Sequence, residues 1–223
     1  MSTACRIAVL GLLSSIVAWS ASAEQKAPDS DTRVFEWNFE VFLDDAKVGY
    51  HNFKVEQNDD RRRLVSEANL KVKLLFLTLY RYQHENVETW KGECLQRIES
   101  RTNVNGKNFA VVGTQGPEAF EVQASGLENV VPGCVKTFAY WNPDFLEEPE
   151  LMNPQTGEIL PVELQALAEE TLMVGGKDID ARRYRLRAKD MDLELWYSQD
   201  DEWLGLQSTT KDGHTIRYEL TTS

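Results

Sequence analysis

Charge is nearly absent from the start of this chain: Arg6 is the only charged residue before Glu24. Apolar length is also lacking there. The run Ile7–Val17 (IAVLGLLSSIV) falls short of the roughly 20 residues that a membrane-crossing helix needs. Cysteine is scarce, with three in 223 residues. Cys5 precedes the apolar run instead of following it, which excludes acylation at an N-terminal cysteine. Metal-ligand spacings of the H-x-H, H-E-x-x-H or Cys/His type are missing. No G-x-S-x-G occurs, so the usual nucleophile turn of a serine hydrolase is absent. No long amphipathic helix and no βαβ rhythm appear, which excludes a doubly wound α/β domain. Positive charge is in short supply, 24 Lys and Arg against 36 Asp and Glu, for a formal net charge of −12. A body this acidic repels phosphate backbones and anionic lipid surfaces, so nucleic acid is not an expected partner.

What is present at the start reads as export. Arg6, the short apolar core and Ala21-Ser22-Ala23 make the three parts of a secretory signal peptide, with cleavage expected after Ala23. This places the mature protein in the periplasm, neither lipid-anchored nor membrane-spanning once the signal is removed. The domain plan is then 1–23 signal peptide, 24–32 flexible leader and 33–223 a single β domain, a normal length for one sandwich or barrel. Cys94 and Cys134 survive cleavage. An oxidising compartment permits a bridge between them, and the alternative is two small buried thiols.

Along the mature chain the dominant signal is period-two alternation, the mark of a strand with one buried face. Phe35, Trp37, Phe39, Val41 and Leu43 alternate with Glu36, Asn38 and Glu40. Strands are expected at about 48–57, 64–72, 77–91, 94–103, 107–114 and 118–124, and a closing meander runs from about 183 to 220. Asn105-Gly106 is a hairpin signal because both residues tolerate positive φ. Residues 126–161 carry five prolines and three glycines and read as a long loop or lid, with one helical turn at Pro143-Asp144-Phe145-Leu146. Glu163–Glu170 (ELQALAEE) is the one helix-like stretch. The fold class is all-β with minor α: an antiparallel meander curled into a half-barrel or open barrel, with a Pro-rich loop or lid insertion.

Several short motifs carry a resemblance. They are Val48-Gly49-Tyr50 with Phe53, Glu88-x-Trp90-x-Gly92-x-x-Leu95 followed by Asn105-Gly106-Lys107, Phe138-Ala139-Tyr140-Trp141-Asn142, and Leu195-Trp196-Tyr197. Together, over roughly residues 34–220, they resemble an exported proteobacterial family known only as a domain of unknown function. That family is similar to others with a lipoprotein-carrier-like β half-barrel. The resemblance implies fold and compartment and carries no activity or site residues.

Chemistry-bearing residues are sparse. His51, His84 and His214 lie on separate predicted strands, so a zinc site built from them competes with plain surface or half-buried imidazoles. Carboxylate pairs such as Glu147-Glu148 and Asp200-Asp201 are solvated in most acidic proteins. Aromatic residues are the better clue. Tyr80, Tyr82 and Trp90 share a strand face with His84, Asn86 and Glu88, and Tyr140 and Trp141 sit in the Pro-rich segment. These five rings are the candidate ligand wall, against the alternative that they fill a β-core. The positive stripe Arg183, Arg185, Arg187 and Lys189 could receive an acidic partner, or pair with Asp190 and Asp192 across the sheet. The leading expectation is a non-catalytic binding or carrier module for an amphipathic envelope ligand, a lipid, an acyl chain or a glycan, with no cofactor. The alternatives are an envelope hydrolase and a periplasmic interaction or assembly factor with an envelope-protein partner.

Overall fold

The computed structural model describes residues 32–74, 77–210 and 212–221. The segment 1–23 expected to be a signal peptide, and all of the expected leader but Thr32, lie outside the described residues. Among the described residues no helix is long and apolar enough to cross a membrane.

The alternating segments form the expected strands. A first run comprises β1 (Arg33–Leu43), β2 (Ala46–Asn58), β3 (Arg61–Leu74), β4 (Leu77–Lys91), β5 (Cys94–Val104), β6 (Lys107–Gln115), β7 (Ala119–Ala124) and β8 (Leu127–Pro132). A second comprises β11 (Glu163–Ala166), β12 (Glu170–Val174), β13 (Lys177–Ala188), β14 (Met191–Ser198), β15 (Trp203–Thr209) and β16 (Thr215–Leu220). Between them lie a 3-10 turn, Pro143–Glu147, and the short antiparallel pair β9 (Glu150–Met152) and β10 (Ile159–Pro161). Each run is an antiparallel meander. They join where β16 pairs with β1, Phe39 opposite Leu220 and Val41 opposite Tyr218, giving one 14-stranded sheet. Its edges, β8 on one side and β11 with β12 on the other, do not pair with each other, so the sheet is not closed into a barrel.

The concave face is filled by the chain between β8 and β11. Val135, Phe138, Ala139, Trp141, Phe145, Leu151, Met152 and Leu160 are all buried in the same core cluster as Phe39 of β1, Ile98 of β5, Phe120 of β7 and Trp203 of β15. Tyr140 sits 5.6 Å from Trp203, and Trp141 5.9 Å from Trp90, centroid to centroid. The Pro-rich stretch is therefore partly strand and otherwise a buried plug around which the sheet curls. Two ties hold it. Cys94, at the start of β5, is bridged to Cys134 with S–S 2.10 Å, and the Leu95 amide donates to the Val135 carbonyl at 3.0 Å. In a chain-entropy picture, closing a loop of this size stabilises the fold by about 4 kcal/mol.

One expectation is corrected. Glu163–Glu170 is not helical. Its first half is β11, with Glu163 opposite Arg187 and Leu164 opposite Leu186, and Glu170 opens β12. The segment is rich in good helix formers, but cross-strand pairing outweighs propensities worth only tenths of a kcal/mol per residue. The basic stripe on β13 is paired with carboxylates, and of the two expected partners Asp192 takes Arg185 and Arg187. Arg185 binds Asp192 through two nitrogens, at 2.7 and 2.5 Å, and Arg183 reaches Glu194 at 2.5 Å.

Turns follow local chemistry. Asn105 and Gly106 have φ of 52° and 89°, both left-handed, as a two-residue hairpin requires. Gly49 is constrained differently. It follows a bulge, since Val41 pairs with Gly49 and Phe42 with Lys47, leaving Val48 unmatched. A Cβ on Gly49 would lie 1.9 Å from the Asn69 carbonyl oxygen of β3, so strand pairing there excludes any side chain. Gly49→Ala is expected to cost about 3 kcal/mol and lower the melting temperature by roughly 6–12 °C. Gly92→Ala, at an open turn with nothing within 4 Å, is expected to cost about 1 kcal/mol. Thermal melts of the two variants check this, and equal losses would contradict it.

Candidate functional site

The middle of the sheet carries an unusual inward face. On β4 the inward side chains are Tyr82, His84, Asn86, Glu88 and Trp90, and His84, Asn86 and Glu88 are 7%, 4% and 1% exposed. Neighbouring strands add Ser66 from β3 and Ser100 and Thr102 from β5, all buried, and half-buried His51 from β2. Antiparallel register brings them side by side, with Ser66 opposite Asn86 and His84 opposite Thr102.

Buried polar groups are costly unless paired, and most of these are. His51 Nε2 is 2.8 Å from Ser66 Oγ, and its Nδ1 is 3.3 Å from the Tyr218 hydroxyl. His84 Nδ1 is 2.8 Å from Thr102 Oγ1. Glu88 accepts from Asn86 Nδ2 at 2.9 Å, from Trp90 Nε1 at 3.0 Å and from the plug residue Thr137 at 3.3 Å. The plug is latched further by Ser100, which donates to the Pro154 carbonyl, and by Tyr82, which donates to Gln155 Oε1 at 3.3 Å.

Arg62, opposite Trp90, is paired with Glu93 and stacked on Trp141, and burial governs the protonation of the row. Burial pulls His51 down to about 3, with His84 adding to the effect, and pulls His84 down to about 4. Both imidazoles are neutral around pH 7. Burial pushes the Glu88 carboxyl upward, opposed by its three hydrogen bonds. Burial also raises the phenols of Tyr82, Tyr140 and Tyr218, which stay protonated.

Between row and plug lies a cavity of about 220 Å³. Its walls are part polar (His51, Ser66, His84, Asn86) and part apolar (Phe53, Leu64, Phe138, Met191). Two of the lining residues carry a buried atom without a hydrogen-bond partner among the described residues, the acceptor Asn86 Oδ1 and the donor Trp141 Nε1. Each such group costs about 1–3 kcal/mol. A second depression, of about 400 Å³, is lined mainly by solvated side chains such as Glu67, Gln83, Glu85 and Arg101, and none of the unpaired buried atoms belongs to it.

The five proposed wall residues divide. Tyr82, Tyr140 and Trp141 line the cavity together. Tyr80 is 36% exposed and does not line it. Trp90 is 1% exposed, packs on Trp141 and hydrogen-bonds Glu88, which makes it a core residue. His51, Ser66, His84, Asn86, Gln155 and Tyr218 join them in the lining. Of these only His84 and Asn86 carry a signal in the sequence, as polar residues on the strand face of Tyr82, and the other four come from separate segments.

Ser66, His51 and Tyr218 form a hydroxyl–imidazole–orienter chain of the kind found in nucleophilic catalysis. Its chemistry is weak. A base held near 3 lies far below the operating pH that general-base catalysis favours, and no carboxylate backs the imidazole to stabilise its charged form. His214 lies apart, 2.7 Å from Asp44 on the surface. Among the described residues no three His, Cys, Asp or Glu side chains gather to hold a metal.

An antiparallel sheet curled, without closing, around its own plug places this chain among β-barrel-like proteins. The crystal structure of a β-barrel-like protein, domain of unknown function DUF1849, from Brucella abortus is similar, with a TM-score of 0.63, 9% sequence identity, and coverage of 84% of this chain and 95% of that one. At that identity the likeness is one of fold alone. By sequence the chain belongs to the family described as a domain of unknown function (DUF6134), matched over residues 39–221. No curated protein matches it.

The depressed imidazoles predict a pH dependence. His51 and His84 remain neutral when folded and take up protons near 6.5 once unfolded. The stability they allow is thus complete above that value and is lost as pH falls toward 4 and 3. Between pH 7 and pH 5 the expected loss is about 2 kcal/mol for each imidazole. Denaturant melts of wild type and of the His51→Gln, His84→Gln double variant check it. An equally steep decline in both proteins would contradict it.

Proposed function

We propose that this chain is exported and acts outside the cytoplasm as a non-catalytic binding module for an amphipathic envelope ligand, held in the cavity between sheet and plug. The observation that carries the reading is the cavity wall itself. It mixes polar side chains of the sheet (His51, Ser66, His84, Asn86) and of the plug (Asn153, Gln155) with Phe53, Leu64, Phe138 and Met191, and two of its residues, Asn86 and Trp141, each carry a buried, unpaired polar atom. Directed polar groups set among apolar side chains are how small-molecule sites fix orientation. Export is supported by the signal-like start, and the Cys94–Cys134 bridge suits an oxidising compartment. A weak base at His51 is what disfavours the hydrolase reading.

A second reading, an interaction or assembly factor, has its own support. Both sheet edges carry exposed apolar side chains, Val130 at 62% on β8 and Met173 at 68% on β12. Unpaired edges of this kind invite strand addition from a partner.

The test of the binding reading is native mass spectrometry of the protein recovered from the periplasm, followed by thermal shifts against lipids, glycans and small amphiphiles. A chain beginning at Glu24 with a bound species is expected. A panel member at a hundred times its Kd should stabilise by about 2.7 kcal/mol. A product retained in the cytosol with Met1, or no bound species and no shift from any compound, would overturn it.

A further inference from the structure

The charge and size of the cavity narrow what it can hold. Asn86 is 4% exposed and Trp141 7%, so the two unpaired atoms are beyond the reach of bulk solvent. The Asn86 amide donates its N–H to Glu88, which leaves its oxygen as the free end, since the reverse orientation would set two acceptors against each other. The site thus presents an unmet acceptor from Asn86 and an unmet donor from the Trp141 indole. Among the described residues no lysine or arginine lines the cavity, and Arg62, which stacks on Trp141, is already paired with Glu93, so an anion finds no free counter-charge. The one carboxylate among the described lining residues, Glu88, already has both oxygens engaged by Asn86, Trp90 and Thr137, and burial favours its uncharged form, so an ammonium finds little counter-charge. A volume of about 220 Å³ lies below the roughly 300–1,000 Å³ of drug-sized sites. At about 25 Å³ per heavy atom, the ratio for benzene held in a cavity of about 150 Å³, it suits a compound of about nine heavy atoms and is too small for a long acyl chain.

We infer, resting on the binding reading above, that the cavity takes a compact neutral compound in which an alcohol, phenol or primary amide is mounted on a short apolar or aromatic body. The indole N–H of Trp141 donates to its oxygen, Asn86 meets its O–H or N–H, and Phe53, Leu64, Phe138 and Met191 enclose its body. Carboxylates, ammonium compounds and long-chain lipids are rejected, the first two for want of a counter-charge and the third for want of room.

Four probes of nearly one shape test this on the full exported chain: benzamide, benzyl alcohol, benzoate and benzylammonium, with toluene as the apolar control. The neutral polar pair should bind at least tenfold more tightly than either charged compound by calorimetry. They should also move the Trp141 indole N–H resonance, which toluene should leave in place. Trp141→Phe should weaken benzamide about tenfold without changing toluene. If that variant does not fold, the indole resonance of the wild-type protein still decides. Equal or tighter binding of benzoate or benzylammonium, or an indole resonance unmoved by benzamide, would overturn the inference. Binding of a lipid or glycan with no response to any of the four probes would sink this ligand class and leave the binding reading standing. Silence from every compound would sink both.

Discussion

The structure depends on the closure of the plug onto the middle of the sheet. A sheet of this width with free edges has a concave face that must be covered, and the chain between β8 and β11 covers it from within. The closure is covalent at one point, Cys94 to Cys134, and polar at another, where Thr137 reaches the fully buried Glu88. Aromatic packing of Trp141 on Trp90 and of Tyr140 on Trp203 spreads the contact to both halves of the sheet. Remove the closure and the polar row on β4 faces water, Glu88 is no longer desolvated, and the cavity ceases to exist. Fold, protonation and candidate site thus share one cause.

Polarity at the centre of a β-core is otherwise hard to justify. An apolar face on β4 would bury more favourably, at roughly 25 cal/mol per Å² of apolar surface. Instead His84, Asn86 and Glu88 occupy it, and two of the lining residues each carry an unpaired buried atom. Natural sequences depart from local consistency mostly at functional sites. The departure here is concentrated on one strand and its two neighbours, directly beneath the one segment that is irregular enough to shape a cavity. The imidazoles contribute by staying neutral, which keeps the row polar without charge.

Much of the fold could be read from residue order alone. Phe39 and Val41 against Asn38 and Glu40, and the Asn105-Gly106 turn, specify strands and a hairpin by local physics, and both are as expected. Glu163–Glu170 misled because its helix preference is intrinsic, whereas its strand state comes from Arg187 and Leu186 across β13. The Pro-rich stretch was legible as irregular. Its burial was not, because nothing local distinguishes an aromatic loop lying over a sheet from one lying inside it. The site was half legible for the same reason. Tyr82, Tyr140 and Trp141 were identifiable as rings with polar neighbours. Tyr80 and Trp90 share their strand face, and only the curl of the sheet puts one at the rim and the other in the core. The pairing of His51 with Ser66 and Tyr218 joins residues up to 167 positions apart and has no local trace.

Whether plug and sheet are one cooperative unit through the Cys94–Cys134 tie is open to direct measurement by amide hydrogen exchange on wild type and on the Cys94→Ser, Cys134→Ser protein. The reporters are the Leu95 amide, bonded to Val135, and the Met152 amide, bonded to Lys136, with the β1–β16 pairing as internal reference. The expected result is that protection at Leu95, Met152 and along the inward row of β4 falls by orders of magnitude while β1 and β16 hold theirs. Unchanged protection at Leu95 and Met152 after loss of the bridge, or loss shared equally with β1 and β16, would contradict a plug clamped at this point.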